Sequence, residues 1–335
     1  MTRSGITAAG NYIVDRVKIV DRYPEQDTLA NILSESVGNG GGAFNVLVDL
    51  SRLGFGHPLR AMGFVGADAD GDWIRRTCSA HQIDTASLLS CDAPTSYTDV
   101  MTVESTGRRT FFHQRGSNAL FGSQPIDLGF GSSKILYLGY ILLLDALDAP
   151  DLEYGTRAAR LLAEASRTGL KTAIDVVSED GDRFERIIQP ALPHVDWCFL
   201  NEFEAERTTG IPIRRDGVLD RSALERAGVR LLELGVHEAV FLHAPEGALA
   251  VSADGERIWQ PAVQVPIQSI VGAVGAGDAF AAGVLYGLHD GADLSICLEY
   301  GVCAAAASLT HASASDGVIP LSDCVEMGRR FGYRN

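Results

Sequence analysis

The chain has 335 residues, 46% hydrophobic and 21% charged, a globular composition with ample material for a core. Its 28 Lys and Arg against 43 Asp and Glu leave a formal net charge of −15. That balance argues against sequence-independent nucleic-acid binding, which needs clustered cations, and an anionic substrate would need a local positive site.

In chain order, residues 11–37 read as a pair of alternating strands. A helix follows over 45–54, with Val46, Leu47, Leu50 and Leu53 at helical spacing and Gly54 as its C-cap. PLRAMGFVG (58–66) reads as a strand and DGDWIRRTCSAHQID (70–84) as a helix. Residues 96–115 read as a second strand pair with ESTGRRT at the hairpin tip. KILYLGYILL (134–143) is a buried strand, and helix 155–170 feeds the strand KTAIDVV. VDWCFLN leads into the helix EFEAERTTG, and ALERAGVRLLELG is a helix before the strand EAVFLHA. This rhythm predicts an α/β fold, a doubly wound, mostly parallel sheet flanked by helices, in one domain over 1–335. Ligands of such a sheet bind at the carboxyl ends of its strands. The strand pairs at 11–37 and 96–115 are too poor in apolar residues to stand alone and read as one small sheet, a lid.

The amino-terminal MTRSGITAAGN has no apolar signal core. The longest apolar run, ILYLGYILLLDAL, is interrupted by Asp145 and falls short of the ~20 residues of a membrane span. No membrane partner is expected. The six cysteines, Cys78, Cys91, Cys198, Cys297, Cys303 and Cys324, form no CxxC pair. They read as reduced thiols in a cytoplasmic protein.

Three clusters carry chemistry. In GAVGAGDAFAAG (272–283), Gly275 and Gly277 let the backbone turn sharply where a helix begins. Its N–H groups then face an anion such as a phosphoryl group, with Asp278 beside it. Asp278 reads equally as a helix N-cap. In VGNGGGAFN (37–45), Gly40, Gly41 and Gly42 offer bare backbone to a ligand, and Asn45 can bond to hydroxyls. The same stretch fits a dinucleotide fingerprint, Gly38-x-Gly40-x-x-Ala43, and so an oxidoreductase, but the acidic residue it needs ~20 positions on is out of place. In WCFLNEFEAE (197–206), a buried strand ends at Asn201, and Glu202 and Glu204 open a helix. They suit the helix dipole, and equally a Mg²⁺ that keeps most of its waters.

Taken in order, the clusters resemble the ribokinase (PfkB-type) family of sugar kinases over nearly the whole chain. GGGAFNVLVDLSRLG is similar to the family's first signature and GAVGAGDAFAAG to its second; NEFE matches its N-x-x-E and GNYIVD its first substrate strand. The resemblance implies an ATP-dependent sugar kinase with Asp278 as base and the amides of Ala276, Gly277 and Asp278, after Gly275, as the anion hole. Asp15, Gly41, Gly42 and Asn45 would face the sugar, with His113, Arg115 and Asn118 returning from the lid; an exposed polar turn is the rival reading of those three. Asn201 and Glu204 would act through Mg²⁺ and its waters, and the nucleotide would lie near His243–Gly247 and residues 304–317. Lids of this family pair, which implies a homodimer. Gly42 replaces the Lys of ribokinases proper. Gly272 and Ala273 replace an Asp-Thr pair, so a monovalent-cation site would lack its charged ligand; Gly272 would serve instead through a positive φ. A non-catalytic sugar- or nucleotide-binding relative is the alternative.

Overall fold

A computed structural model describes residues 3–123, 126 and 131–334. In chain order its elements begin with β1 (Ile6–Gly10), β2 (Ile13–Val20), β3 (Ile32–Gly40) and α1 (Gly42–Arg52). They continue with β4 (Leu59–Gly66), α2 (Ala69–Ala80), β5 (Ile83–Cys91), β6 (Tyr97–Val103), β7 (Arg109–Gln114) and β8 (Ile135–Ile141).

Among the described residues the large sheet has nine strands, in the order Arg257–Pro261, Gly247–Ser252, Ala239–Ala244, Trp197–Asn201, Lys171–Val176, β8, β1, β4, β5. All neighbours from Ala239–Ala244 to β5 pair in parallel; the two strands beyond it pair antiparallel. The central strands are mostly apolar and buried because helices cover both faces, leaving no solvent side to be polar. The two faces carry separate cores, one built on α1 and the helix Ala276–Asp290, the other on the helices Arg157–Arg167 and Arg221–Glu233. Helix starts follow local chemistry: Asp68, Thr156 and Asp220 each accept a hydrogen bond from a first-turn N–H.

The second sheet has four strands in the order β3, β2, β6, β7. Its register places Asp15 opposite Gly38 and Thr98, and Thr98 opposite His113. The alternate residues Ile13, Asp15, Thr98, Arg109, Phe111 and His113 all face the carboxyl ends of the parallel strands.

Several elements differ from the sequence expectation. The helix expected over 70–84 ends at Ala80, and Ile83 already belongs to the edge strand β5. The antiparallel strands 247–252 and 257–261 and the helices Leu294–Ser308 and Leu321–Phe331 were not anticipated. The dinucleotide reading fails on topology: β3, which carries Gly38 and Gly40, is an antiparallel strand of the small sheet, so no βαβ unit surrounds the fingerprint.

Candidate active site

The carboxyl ends of the parallel strands and the inner face of the small sheet enclose a cleft of about 490 Å³. One wall is the turn into the helix Ala276–Asp290. Gly275 is that helix's N-cap with φ 74°, and a Cβ there would stand 2.5 Å from the Ala314 carbonyl oxygen, so the turn demands glycine. Gly277 does not bend the turn as expected. It lies inside the helix, where a Cβ would come 3.2 Å from His243 Cε1, so its role is to leave room for that ring. The His243 ring packs on Phe280, and burial lowers its pKa to about 4, so it is neutral at physiological pH. Gly272 is not among the residues of positive φ, which removes the conformational reason expected for it.

Asp278 is no N-cap, because Gly275 holds that position and no side chain caps the helix. The residue is 4% exposed. Its Oδ2 accepts from Asn45 Nδ2 at 2.8 Å, and the Tyr140 hydroxyl donates to Oδ1 and Oδ2 at 2.6 and 2.7 Å. Burial raises its pKa to about 6, against the pull of these donors. Asn45 sits in the first turn of α1 and also accepts from Asn39 Nδ2 at 2.6 Å.

Asp15 lines the cleft from β2, and a Cβ on Gly40 would collide with its carboxylate at 2.2 Å. Burial pushes its pKa up to about 7; the Thr98 hydrogen bond opposes this and the charge of Asp278 adds to it. Gly41 lines the same side at φ 88°, with Asn11 too close for any Cβ.

At the end of the strand Trp197–Asn201, Asn201 and Glu204 form a reciprocal capping box. Asn201 Oδ1 accepts from Glu204 N at 2.9 Å, and Glu204 Oε2 accepts from Asn201 N at 2.9 Å. Ser178 Oγ donates to Glu204 Oε1 at 2.7 Å. Capping and lining coincide, since both residues also border the cleft. Burial raises Glu204 to about 7. Asp175 beside it is pushed well up by burial and by the charge of Glu204. Among the described residues no Lys or Arg pairs with either. Two buried carboxylates and an amide oxygen facing one space, with no cation of the chain between them, form the hard oxygen set that Mg²⁺ takes, directly or through water.

Arg115 borders the cleft but pairs with Asp145. His113 also borders it, with Nδ1 3.0 Å from Thr98 Oγ1, Nε2 buried without a partner, and a pKa lowered to about 4 by burial. Three expected ligand contacts lie outside the lining. Asn118 is buried and exchanges 3.3 Å bonds with the Tyr12 main chain. Gly42 lies beneath the Tyr140 ring. Gly247 is in a hairpin, packed on Gln260 and Trp259. Conversely, sequence reasoning missed Tyr140, Asp175 and Arg109. Asp175 carried a signal, a lone carboxylate at the carboxyl end of an apolar strand.

A second cluster, His57, His289 and Asp290, sits at the far end of the same helix. Its ring nitrogens are already committed. His289 Nε2 accepts the Gly5 N–H at 2.9 Å, so Nδ1 carries the proton, which it gives to Asp290 at 3.0 Å. No lone pair of His289 remains for a metal.

Comparison with known proteins adds the rest. The family described as pfkB family carbohydrate kinase matches residues 4–320. An ATP-dependent ribose-1-phosphate kinase of Halopiger xanaduensis is 26% identical over 295 residues, covering 88% of each chain. A fructokinase of Klebsiella pneumoniae is 30% identical over 276 residues, covering 78% of this chain and 82% of that protein. Among solved structures, the Arabidopsis thaliana ribokinase complexed with ribose and ATP superposes with a TM-score of 0.77 at 19% identity. The match covers 98% of this chain and 99% of that one. At that identity it shows the fold.

Proposed function

Because this chain belongs to the pfkB family of carbohydrate kinases, phosphotransferases with an alcohol group as acceptor, we propose that it transfers the γ-phosphoryl group of ATP to a hydroxyl of a small sugar or sugar-like alcohol, with Asp278 as general base. The observation that carries this reading is the place of Asp278. It is a buried carboxylate in the first turn of a helix whose glycine-capped N-terminus opens into the cleft. Phosphoryl transfer asks little covalent chemistry of a protein; it asks for position and charge compensation. The helix N-terminus after Gly275 suits the transferring phosphoryl group. Asp278 accepts the acceptor's proton, and Asp15 and Asn45 orient its other hydroxyls. Asn201, Glu204 and Asp175 would hold Mg²⁺, which when bound offsets the phosphate charge. His243, packed at a tilt on Phe280, marks the nucleotide side.

The small sheet acts as a lid that keeps water from the phosphoryl donor. Two such lids pair in a homodimer. With Gly272 in place of a charged ligand, turnover depends little on potassium. All six cysteines are free thiols, which suits a cytoplasmic enzyme drawing on cytoplasmic ATP. Among the described residues, no helix is long and apolar enough to cross a membrane.

The test is a panel of free sugars, sugar phosphates and nucleosides with Mg·ATP, read as acceptor-dependent ADP release. Release with at least one acceptor supports the kinase. ATP binding without release on any acceptor would support a non-catalytic binding relative instead.

A further inference from the structure

We propose that Tyr140, seated on Gly42, is the positioning residue of the reacting carboxylate: its hydroxyl grips both oxygens of Asp278 and holds them oriented and ionised toward the acceptor. This rests on the reading of Asp278 as the base.

Tyr140 stands at the carboxyl end of β8, with its ring over the first residue of α1. A Cβ on Gly42 would lie 2.7 Å from the ring's Cε1 and 2.9 Å from Cδ1, so only glycine allows the ring this seat. Three residues on along α1, Asn45 donates to the same carboxylate that Tyr140 grips. One helix turn therefore supplies both the seat of the hydroxyl and a second donor. The single Tyr140 hydroxyl proton is shared between the two carboxylate oxygens at 2.6 and 2.7 Å, one short, charge-assisted, forked bond. Burial and the neighbouring carboxylates push the Tyr140 pKa well up, so its proton stays on as the donor. Glycine at position 42 acquires a reason here: it makes room for an aromatic ring that handles the base.

The two donors oppose the effect of burial on Asp278. The titratable groups that interact with it are Asp15 from β2, Asp49 from α1, Tyr137 from β8, Asp175 and Glu204. Neutral His243 faces Gly277 next to it. All of these remain when only the Tyr140 hydroxyl is removed, so their titration cancels in a comparison of variant with parent.

The experiment is the pH profile of kcat/KM for Tyr140→Phe and Gly42→Ala, with folding checked by thermal melting. Tyr140→Phe keeps the ring and its seat but loses the donor. The acid limb is expected to move up by about one pH unit. That is a loss of about fivefold at pH 6, approaching tenfold in more acid solution and fading as the pH is raised. Gly42→Ala, which keeps the hydroxyl but displaces the ring, is expected to move the limb in the same direction. An acid limb unmoved in Tyr140→Phe would overturn the proposal, whether or not the rate falls uniformly. The same assay on Asp278→Asn separates the premise. If that variant turns over at the parent rate, Asp278 is not the base and both readings fall. If it is inactive while the limb of Tyr140→Phe stays put, only the role of Tyr140 falls.

Discussion

Asp278 is buried, yet it is held by neutral donors alone, Asn45 and Tyr140, and no Lys or Arg pairs with it among the described residues. A buried carboxylate without a counter-ion is costly to keep ionised. A pKa raised to about 6 leaves it mostly ionised at neutral pH and a stronger proton acceptor than an exposed aspartate. Asp278→Asn keeps the size and a hydrogen-bonding face but cannot take a proton. Its expected effect is a fall in kcat of at least ~100-fold, the lower range for a general base, with the melting temperature and ATP affinity nearly kept. A variant that melts early and turns over normally would assign Asp278 a structural role only. Asp278 and Asn45 were legible in the sequence because they follow glycine-rich turns where helices begin, with a cap as the rival reading of Asp278; Asp15, inside a strand, was indicated only by the family resemblance. Tyr140 was not legible. An aromatic residue closing an apolar strand looks like core, and its partner lies 138 residues away along the chain.

The short helix Glu202–Thr209 shows how one element serves both stability and chemistry. Its capping box satisfies first-turn N–H groups with the same Asn201 and Glu204 that border the cleft. Substitution can separate the two tasks, because aspartate caps a helix about as well as asparagine. Asn201→Asp is expected to melt with the parent yet shift the Mg²⁺ concentration that gives half-maximal turnover. Asn201→Ala should in addition lose about 1 kcal/mol of stability. Equal melting and equal Mg²⁺ dependence in Asn201→Asp would leave Asn201 a cap alone. The small sheet carries a different consequence. Val37 and Phe112, which share its outer face, are 56% and 50% exposed. Apolar side chains on a four-stranded sheet outside the main core call for a partner. The expected partner is a second copy, and Phe112→Glu should halve the mass seen by light scattering; a parent that is monomeric at every working concentration would remove the homodimer. Alternation made the strands of this sheet readable. The helix Leu294–Ser308 was not readable, because it packs on the helix Ala276–Asp290 and on the sheet, and is apolar on too many sides to show a polar face. The edge strand β5 was lost for another reason: the polar pattern of α2 runs on past Ala80, and nothing local marks the end of that helix.

Across the whole molecule the cleft gathers Asp15, Asp175, Glu204 and Asp278 in a chain already at −15. Without its cationic partners the site strains the fold electrostatically, and the strain depends on pH. Asp15 and Glu204 titrate at about 7 in the folded protein, against 3.8 and 4.5 unperturbed. A group whose folded pKa is raised contributes stability that is complete below its unfolded value and is lost as the pH climbs through its folded value. The protein without nucleotide or metal is therefore expected to become less stable between pH 6.5 and 8. The histidines act against this fall only at the lower edge of the window. His81, His113, His194, His243 and His289 are all lowered, chiefly by burial, so the stability they add is in place about one pH unit above their unperturbed 6.5 and is lost on acidification. Thermal melting at pH 6.5, 7.2 and 8, in buffers of equal ionic strength with a chelator, should show a steady fall. Saturating Mg·ATP should flatten it, because a ligand that binds only the folded state stabilises it and here compensates the carboxylates that are losing their protons. Asp15→Asn should remove part of the slope even without ligand, since its neutral amide has nothing to ionise. A melting temperature that is level or rises over this range would show that these carboxylates are not held protonated by the fold, and that the cleft does not wait for a cation to balance it.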